Sequence, residues 1–483
     1  MGVYWKQGLE NISPLISNMK NIAFITLLDT ANTQAQLANS LKEIVNSWFI
    51  TSSKKDIKTL EFYGVDRKSI LDLSITRNEF RLKKYPRDTI EILGKFEDPR
   101  LPIGSIIEAS RMLNSESSQM VQGYMAETLL KIEHFFLDNK IDWVFAEPSD
   151  LMQLLGQLVC WKNQIKFGQI SLARHPSDRL ILMSDCTETN FYNFGQQVNF
   201  SDRQEVEIWL SEFRKNWSRP SYFKRISNLR SIRSLVHSLI SRIPIIVKEL
   251  TGRDELHGLK TSLLIKMYVR NLLRKYSKKQ VTITELKRKY VIYFLHVQPE
   301  RSIDVMAPNF VNQIEVIKQI RRSLPWEISL LVKDHPASDG AQSSRFYSEL
   351  KKISGVEFVN ASVDSRELIL KSISVITITG TVAYEAALLN KPAVMFGNLF
   401  FSHLPLIHVY SNPEELNKFF IGLMRLGAED PQLNAEKKIV DYLMYLNANS
   451  VLTDWDGFYG HLSDQTLKSM VQLIKKSSEI QPQ

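Results

Sequence analysis

The chain has 483 residues, 44% hydrophobic and 23% charged, the balance of a soluble globular protein with room for two cores. Gly 19 and Pro 17 exclude a collagen-like or loop-dominated chain, and two cysteines, Cys160 and Cys186, exclude a disulfide framework and fit a reducing compartment, the cytoplasm. The net charge of +9 is gathered in one place: residues 213–290 hold 20 Lys and Arg against 4 Asp and Glu, a local +16 that leaves −7 for the rest.

The opening MGVYWKQGLENISP lacks the apolar run of a signal peptide, and Lys6 stands where myristoylation needs Ser or Thr. No stretch has the ~20 consecutive apolar residues of a membrane span. IAFITLL (22–28) is short and β-branched, and predicts a strand. Leu37, Leu41, Val45 and Trp48 then predict a helix over 33–48, and LEFYGV (60–65) a second strand. Residues 78–100 are charged and show no clear period. Met120, Tyr124, Leu129, Ile132 and Phe136 predict a long helix over 117–139. DWVFAE (142–147) predicts a strand, with a helix from Ser149. QISLA (169–173) and RLILM (179–183) predict two more strands. Alternating strands and helices predict a mostly parallel sheet.

The basic stretch follows. Ile226, Leu229, Val236, Leu239 and Ile243 recur at helical spacing among Arg225, Arg230, Arg233 and Arg242, and Pro244 kinks or ends that helix. Lys266, Arg270, Arg274 and Lys278 recur every four residues, which makes one stripe on a helix. Such a stripe suits an anionic lipid surface, at ~1 kcal/mol per near-surface cation. It equally suits the solvated face of an ordinary helix. Nucleic acid is set aside as a partner, because aromatic residues are sparse along the stripe and no nucleic-acid module is recognisable.

Beyond it, YVIYFLH (290–296), ISLLVK (328–333), VEFV (356–359), VITIT (375–379) and AVMFG (393–397) predict five strands. Helices are expected at 309–323, 344–353, 365–372 and 382–390. Asp364 and Glu367 suit a capping box, and 412–480 reads as helices. This is a doubly wound α/β unit, which binds ligands at the carboxyl ends of its strands. Polar clusters stand there. Thr379-Gly380-Thr381 offers backbone amides and hydroxyls to a phosphate, or is an ordinary tight turn. Glu385 suits a ribose, or is a surface residue. Lys333-Asp334-His335-Pro336 brings a cation and an imidazole, and His296-Val297-Gln298-Pro299-Glu300 brings an imidazole, an amide and a carboxylate. Gly397 follows the fifth strand. Together they suggest a nucleotide site. Metal ligation is not expected: the nine His show neither HxxxH nor HExxH spacing. Nor is an Asp-x-Asp of the manganese-dependent sugar transferases expected, nor a GxGxxG, a P-loop or a GxSxG.

The stretches YFLHVQPERSIDVMAPNFVNQIEVIKQIRRSLP, LLVKDHP and VITITGTVAYEAALLNKPAVMFGN resemble bacterial capsule and surface-polysaccharide biosynthesis proteins. Those are glycosyltransferases of the GT-B type, with relatives that transfer Kdo from its CMP-activated form. The resemblance covers about 290–410. With the chain's own organisation it gives a GT-B-like division into two Rossmann-like domains: 1–212 on the acceptor side, a helical basic connector at 213–289, a nucleotide-sugar domain at 290–410, and C-terminal helices at 411–483. The resemblance implies a nucleotide-sugar donor as substrate, a polysaccharide or lipid-linked acceptor and reaction in the cleft, with no bound cofactor or metal, while the charge of 213–290 places the enzyme at the inner membrane face. Gln298, Lys333, His335, Thr379, Gly380, Thr381 and Glu385 line its donor site. Glu300 and His335 are candidates for catalysis. Asp29 is the candidate base after the first strand, with Glu147 and Asp150 as further carboxylates at strand ends. Two other classes remain open: a sugar-nucleotide epimerase on the same scaffold, against which the basic connector speaks, and a non-catalytic assembly or export partner.

Overall fold

The computed structural model describes residues 19–26, 30–110, 113, 116–147, 149–195, 200–217, 243–256, 289–298, 300–335, 342–359, 363–425, 432–455 and 462–478. The chain forms two compact units. The first takes Met1–Gln197, Pro244–Leu259 and Asn447–Gln483; the second takes Val198–Ile243 and Lys260–Leu446. Both are of the α/β class expected, each built on a largely or wholly parallel sheet.

In the first unit, β1 (Asn21–Ile25), β2 (Asn46–Thr51), β3 (Ile70–Asp72), β4 (Trp143–Ala146) and β5 (Lys166–Leu172) are parallel in the order β3-β2-β1-β4-β5. β6 (Arg179–Met183) joins β5 antiparallel, and a short strand Val451–Leu452 pairs antiparallel with β6. Parallel strands are covered on both faces and so read as unbroken apolar runs; β4, WVFA, is buried throughout. Phe24 packs on Phe49 and Phe145, and Phe145 stacks on Trp143. Gly156 lets the helix Leu151–Lys162 close on β1, where a Cβ would run into Ile25.

Two expectations fail here. Residues 60–65 are not a strand: Lys54–Phe62 is a helix, started by Ser53, whose side chain accepts from the Lys55 amide. It is stopped by Gly64 at φ +85°, with bonds from Gly64 N–H to Glu61 O and Val65 N–H to Leu60 O, a Schellman motif that a left-handed glycine makes easy. The second strand is β2, which the helical spacing of Val45 and Trp48 conceals; the preceding helix ends at Leu41. Residues 78–100 hold the helices Arg77–Leu82 and Thr89–Gly94, the first with a full capping box between Thr76 and Glu79.

The second unit's sheet is parallel throughout. Its strands β7 (Tyr290–Phe294), β8 (Ser329–Lys333), β9 (Val356–Val359), β10 (Val375–Thr377), β11 (Ala393–Met395) and β12 (Ile407–Val409) lie in the order β12-β11-β10-β7-β8-β9. β12 is a strand beyond the five expected. The helix Gln313–Ser323 buries Ile314, Ile317 and Ile320 against a core that includes Val291, Tyr293, Leu330, Ile376 and Val394. The build-up of the sheet reverses between β7 and β10. That is where doubly wound sheets open a crevice for ligands.

Residues 411–483, set apart by the sequence as terminal helices, divide at 447 between the units. The helix Asp464–Ser477 buries Met470, Leu473 and Ile474 in the first unit's core. Part of the basic stretch also belongs to the first unit. Helix Ile243–Leu250 has Pro244 as its second residue, and the segment after it is tied down by Arg77 N–H to Asp254 O, Asn78 N–H to Gly252 O and Leu256 N–H to Ile75 O. The stripe Lys266, Arg270, Arg274 and Lys278, and the run from Arg225 to Arg242, lie outside the described residues. Among the described residues no helix is long and apolar enough to cross a membrane.

Candidate functional site

The reversal point places the ends of β7 and β10 side by side, and His296 joins them. It lies two residues beyond β7 and is 7% exposed. Its backbone is clamped by the buried Gln313: Oε1 accepts from His296 N–H at 2.8 Å, and Nε2 donates to His296 O at 3.1 Å. The ring's Nε2 lies 2.8 Å from Thr377 Oγ1, and 3.2 and 3.4 Å from the backbone nitrogens of Ile378 and Thr379. Burial, and next the neighbouring His335, push this imidazole down to about 3, so it is neutral at physiological pH.

The Thr379-Gly380-Thr381 turn is held from inside. Gly380 N–H donates to Thr377 Oγ1 at 3.1 Å, and Thr379 Oγ1 donates to Ser302 O at 2.5 Å. The turn amides expected to face a phosphate are therefore engaged at Thr379 and Gly380. A Cβ on Gly380 would meet Thr377 Oγ1 at 2.5 Å, so Gly380 is required by the turn itself. Gly397 serves the same packing, since a Cβ there would meet Thr379 Cγ2 at 2.5 Å. Thr381 is half-buried at the start of helix Val382–Leu388, and Glu385 is buried one turn into it.

At the end of β8, Lys333 is 1% exposed. Asp334 accepts from Tyr347 O–H at 3.2 Å and from His335 N–H at 3.1 Å. His335 is half-buried and held at about 4 by burial and then by the Lys333 charge, with Asp334 acting the other way. It too is neutral at physiological pH. Gln298 is turned into the protein: its Nε2 donates to Val311 O at 2.7 Å, and its Oε1 accepts from Gln313 at 2.8 Å. Glu300 is exposed before helix Arg301–Asp304, where Oε2 accepts from Ser302 O–H at 2.9 Å. The ends of β7, β8 and β10 thus carry a buried cation, two neutral imidazoles and a carboxylate, a set able to bind an anion and give it hydrogen bonds.

In the first unit Asp29 lies outside the described residues. Glu147 is half-buried after β4, and Asp150 caps helix Leu151–Lys162, accepting from Leu151 N–H at 2.8 Å. The described residues contain no cluster of three or more His, Cys, Asp or Glu fit for a metal. The expectation of no Asp-x-Asp is wrong: sequence reasoning passes over Asp454-Trp455-Asp456, a spacing that metal-dependent sugar transferases use. Asp454 Oδ1 is occupied by the hydroxyls of Ser463 and Thr466, both at 2.6 Å. It misses Gln313 as well, although an amide one residue before Ile314, on a helix face otherwise apolar, is a visible signal.

Strand order defines a doubly wound α/β unit with polar side chains gathered at its reversal point. Residues 249–407 match the model of a family described as capsule polysaccharide biosynthesis protein. The resemblance to capsule biosynthesis proteins is borne out over that stretch. Comparison with curated proteins gives no match. Among solved structures, Thermosulfurimonas dismutans KpsC, a beta Kdo 2,7 transferase, is 12% identical, with 75% of this chain and 97% of that one covered at a TM-score of 0.35. S. aureus MnaA with UDP is 11% identical, with 96% and 98% covered at 0.29. The Methanocaldococcus jannaschii UDP-GlcNAc 2-epimerase with UDP-GlcNAc and UDP is 13% identical, with 88% and 100% covered at 0.28. With scores this low, the fold assignment rests on the strand order itself.

Proposed function

We propose that the chain is a glycosyltransferase of capsule or surface-polysaccharide synthesis. It moves an acidic sugar, Kdo in the first instance, from a CMP-activated donor, and does so without a metal. The second unit binds the donor and the first unit the acceptor. The observation that carries this is the cluster at the reversal point: Lys333, His335 and His296 stand together at strand ends where a leaving phosphate can be held. The family match over 249–407 supports the polysaccharide context. Thermal stabilisation by free nucleotides tests the reading. CMP should raise the Tm more than UDP or GDP at equal concentration, by mass action on the folded state. A preference for UDP would favour an epimerase, and no response to any of them would remove the nucleotide site.

The acceptor is lipid-linked in this reading, and residues 213–290, with their +16 charge, hold the enzyme to anionic lipid at the inner membrane face. Binding to anionic vesicles should fall as salt rises. It should fall in the same way when Lys266, Arg270 and Arg274 are changed to Glu. Wild-type protein that ignores such vesicles at low salt would leave the stripe a solvated face.

A further inference from the structure

The second nitrogen of the His296 ring has no task in the turn. Backbone N–H groups only donate, so Nε2, which faces the amides of Ile378 and Thr379, accepts. Thr377 Oγ1 already accepts from Gly380 N–H, which leaves its own hydrogen for Nε2 as well. A neutral ring whose Nε2 accepts carries its one hydrogen on Nδ1. The other tautomer would set an N–H against two N–H donors. Nδ1 lies on the other side of the ring from the turn, and among the described residues no group accepts its hydrogen. His296 Nδ1 does not stand among the buried polar atoms left without a partner, so its hydrogen stays within reach of solvent or of a ligand in the crevice. The ring sits at the reversal point of the sheet, with His335 as its electrostatic neighbour and Lys333 beside His335.

We propose that His296 Nδ1–H donates to a phosphate oxygen of the nucleotide bound by the second unit, in an orientation fixed by the 377–380 turn. The inference rests on the nucleotide-donor reading above. A phosphate is the acceptor that suits this place, because Lys333 supplies the opposite charge at the adjacent strand end while the imidazole adds direction without charge. The turn then acts through His296, holding the donor hydrogen in place, and the amides of Thr379 and Gly380 need not reach the ligand. His296 is a binding residue whose effect depends on phosphate.

Two substitutions separate this role from a purely structural one. In His296→Gln the amide oxygen replaces Nε2 as acceptor, and the donor at Nδ1 is lost. In His296→Asn the amide nitrogen stands near Nδ1, and the acceptor for the turn is lost. CMP and cytidine, which differ by the phosphate, are the probes, with binding read by calorimetry and folding by Tm. His296→Gln should keep a Tm close to wild type and lose about tenfold or more in CMP affinity, with cytidine affinity little changed. CMP affinity within about twofold of wild type in folded His296→Gln would overturn the inference, leaving the nucleotide reading intact. So would an equal loss for CMP and cytidine. If His296→Gln does not fold, His296→Asn decides: a kept preference for CMP over cytidine supports the assignment, and its loss overturns it. Wild-type protein that binds none of CMP, UDP and GDP overturns the nucleotide reading, and this inference with it.

Discussion

Changing His335 to Ala is expected to lower sugar transfer by ~10²–10³-fold while the Tm stays near wild type. The residue lies two positions beyond β8 and is half-buried beside the Lys333 cation, which with burial holds the ring neutral. A neutral imidazole can hydrogen-bond the departing phosphate without giving up its proton. Charge builds on that phosphate as the glycosidic bond breaks, so the contact strengthens in the transition state and kcat should fall more than KM changes. Glu300→Gln, made in parallel, keeps the side chain's shape and removes its charge. Glu300 is exposed and accepts from Ser302, whose carbonyl in turn holds Thr379. A loss of transfer in this variant without a loss of Tm assigns Glu300 to turnover. Near-normal transfer in both variants would move the chemistry elsewhere, with Asp29 and Glu147 next to be changed. Parallel falls in activity and Tm would make both residues structural.

The largest effect on stability is expected at Arg77. Its side chain is 6% exposed and bridges Glu116 at 2.9 Å and Asp254 at 3.2 Å. Glu116 keeps a second partner in Arg81 at 2.8 Å. Asp254 does not fare as well: its other carboxylate oxygen is buried with no partner among the described residues. Arg77→Ala would strand that charge and should destabilise the first unit by about 3–5 kcal/mol. For a unit of this size that is a fall in Tm of several degrees at least. Arg77→Lys keeps the charge but not the fork that meets two carboxylates, and should fall in between. Thermal or urea unfolding measures both. A loss under about 1 kcal/mol for Arg77→Ala would mean that the carboxylates reach solvent and the cluster is not a buried one.

Much of the second unit was legible because its strands are short apolar runs with a polar residue at each end. Tyr290, Ser329, Val356, Val375 and Ala393 open β7 to β11 close to where the pattern puts them. The first unit was harder. Val45 and Trp48 prolong a helical spacing across a turn, and Leu60 and Tyr63 imitate a strand inside and just after a helix capped by Ser53 and Gly64. There the local chemistry of the caps outweighs periodicity. The candidate site was legible as a set of strand ends but not as a set of contacts. Nothing local to Thr379 says that its amide faces an imidazole 83 residues away in sequence, or that Gln298 is spent on Gln313. The Arg77 cluster is hidden for the same reason: Asp254 stands 177 residues from it.

The short strand Val451–Leu452 and the helix Asp464–Ser477 are translated only after the whole second unit has been synthesised. Until then β6 is a bare sheet edge, and the pocket meant for Met470, Leu473 and Ile474 is open. Exposed edges and uncovered apolar surface invite wrong pairing with other nascent chains. The unit begun first is thus the one completed last. A stalled or shortened message would leave behind a finished second unit tethered to an unfinished, adhesive first one. Chaperone demand during synthesis should accordingly be set by the time taken to read residues 198–446.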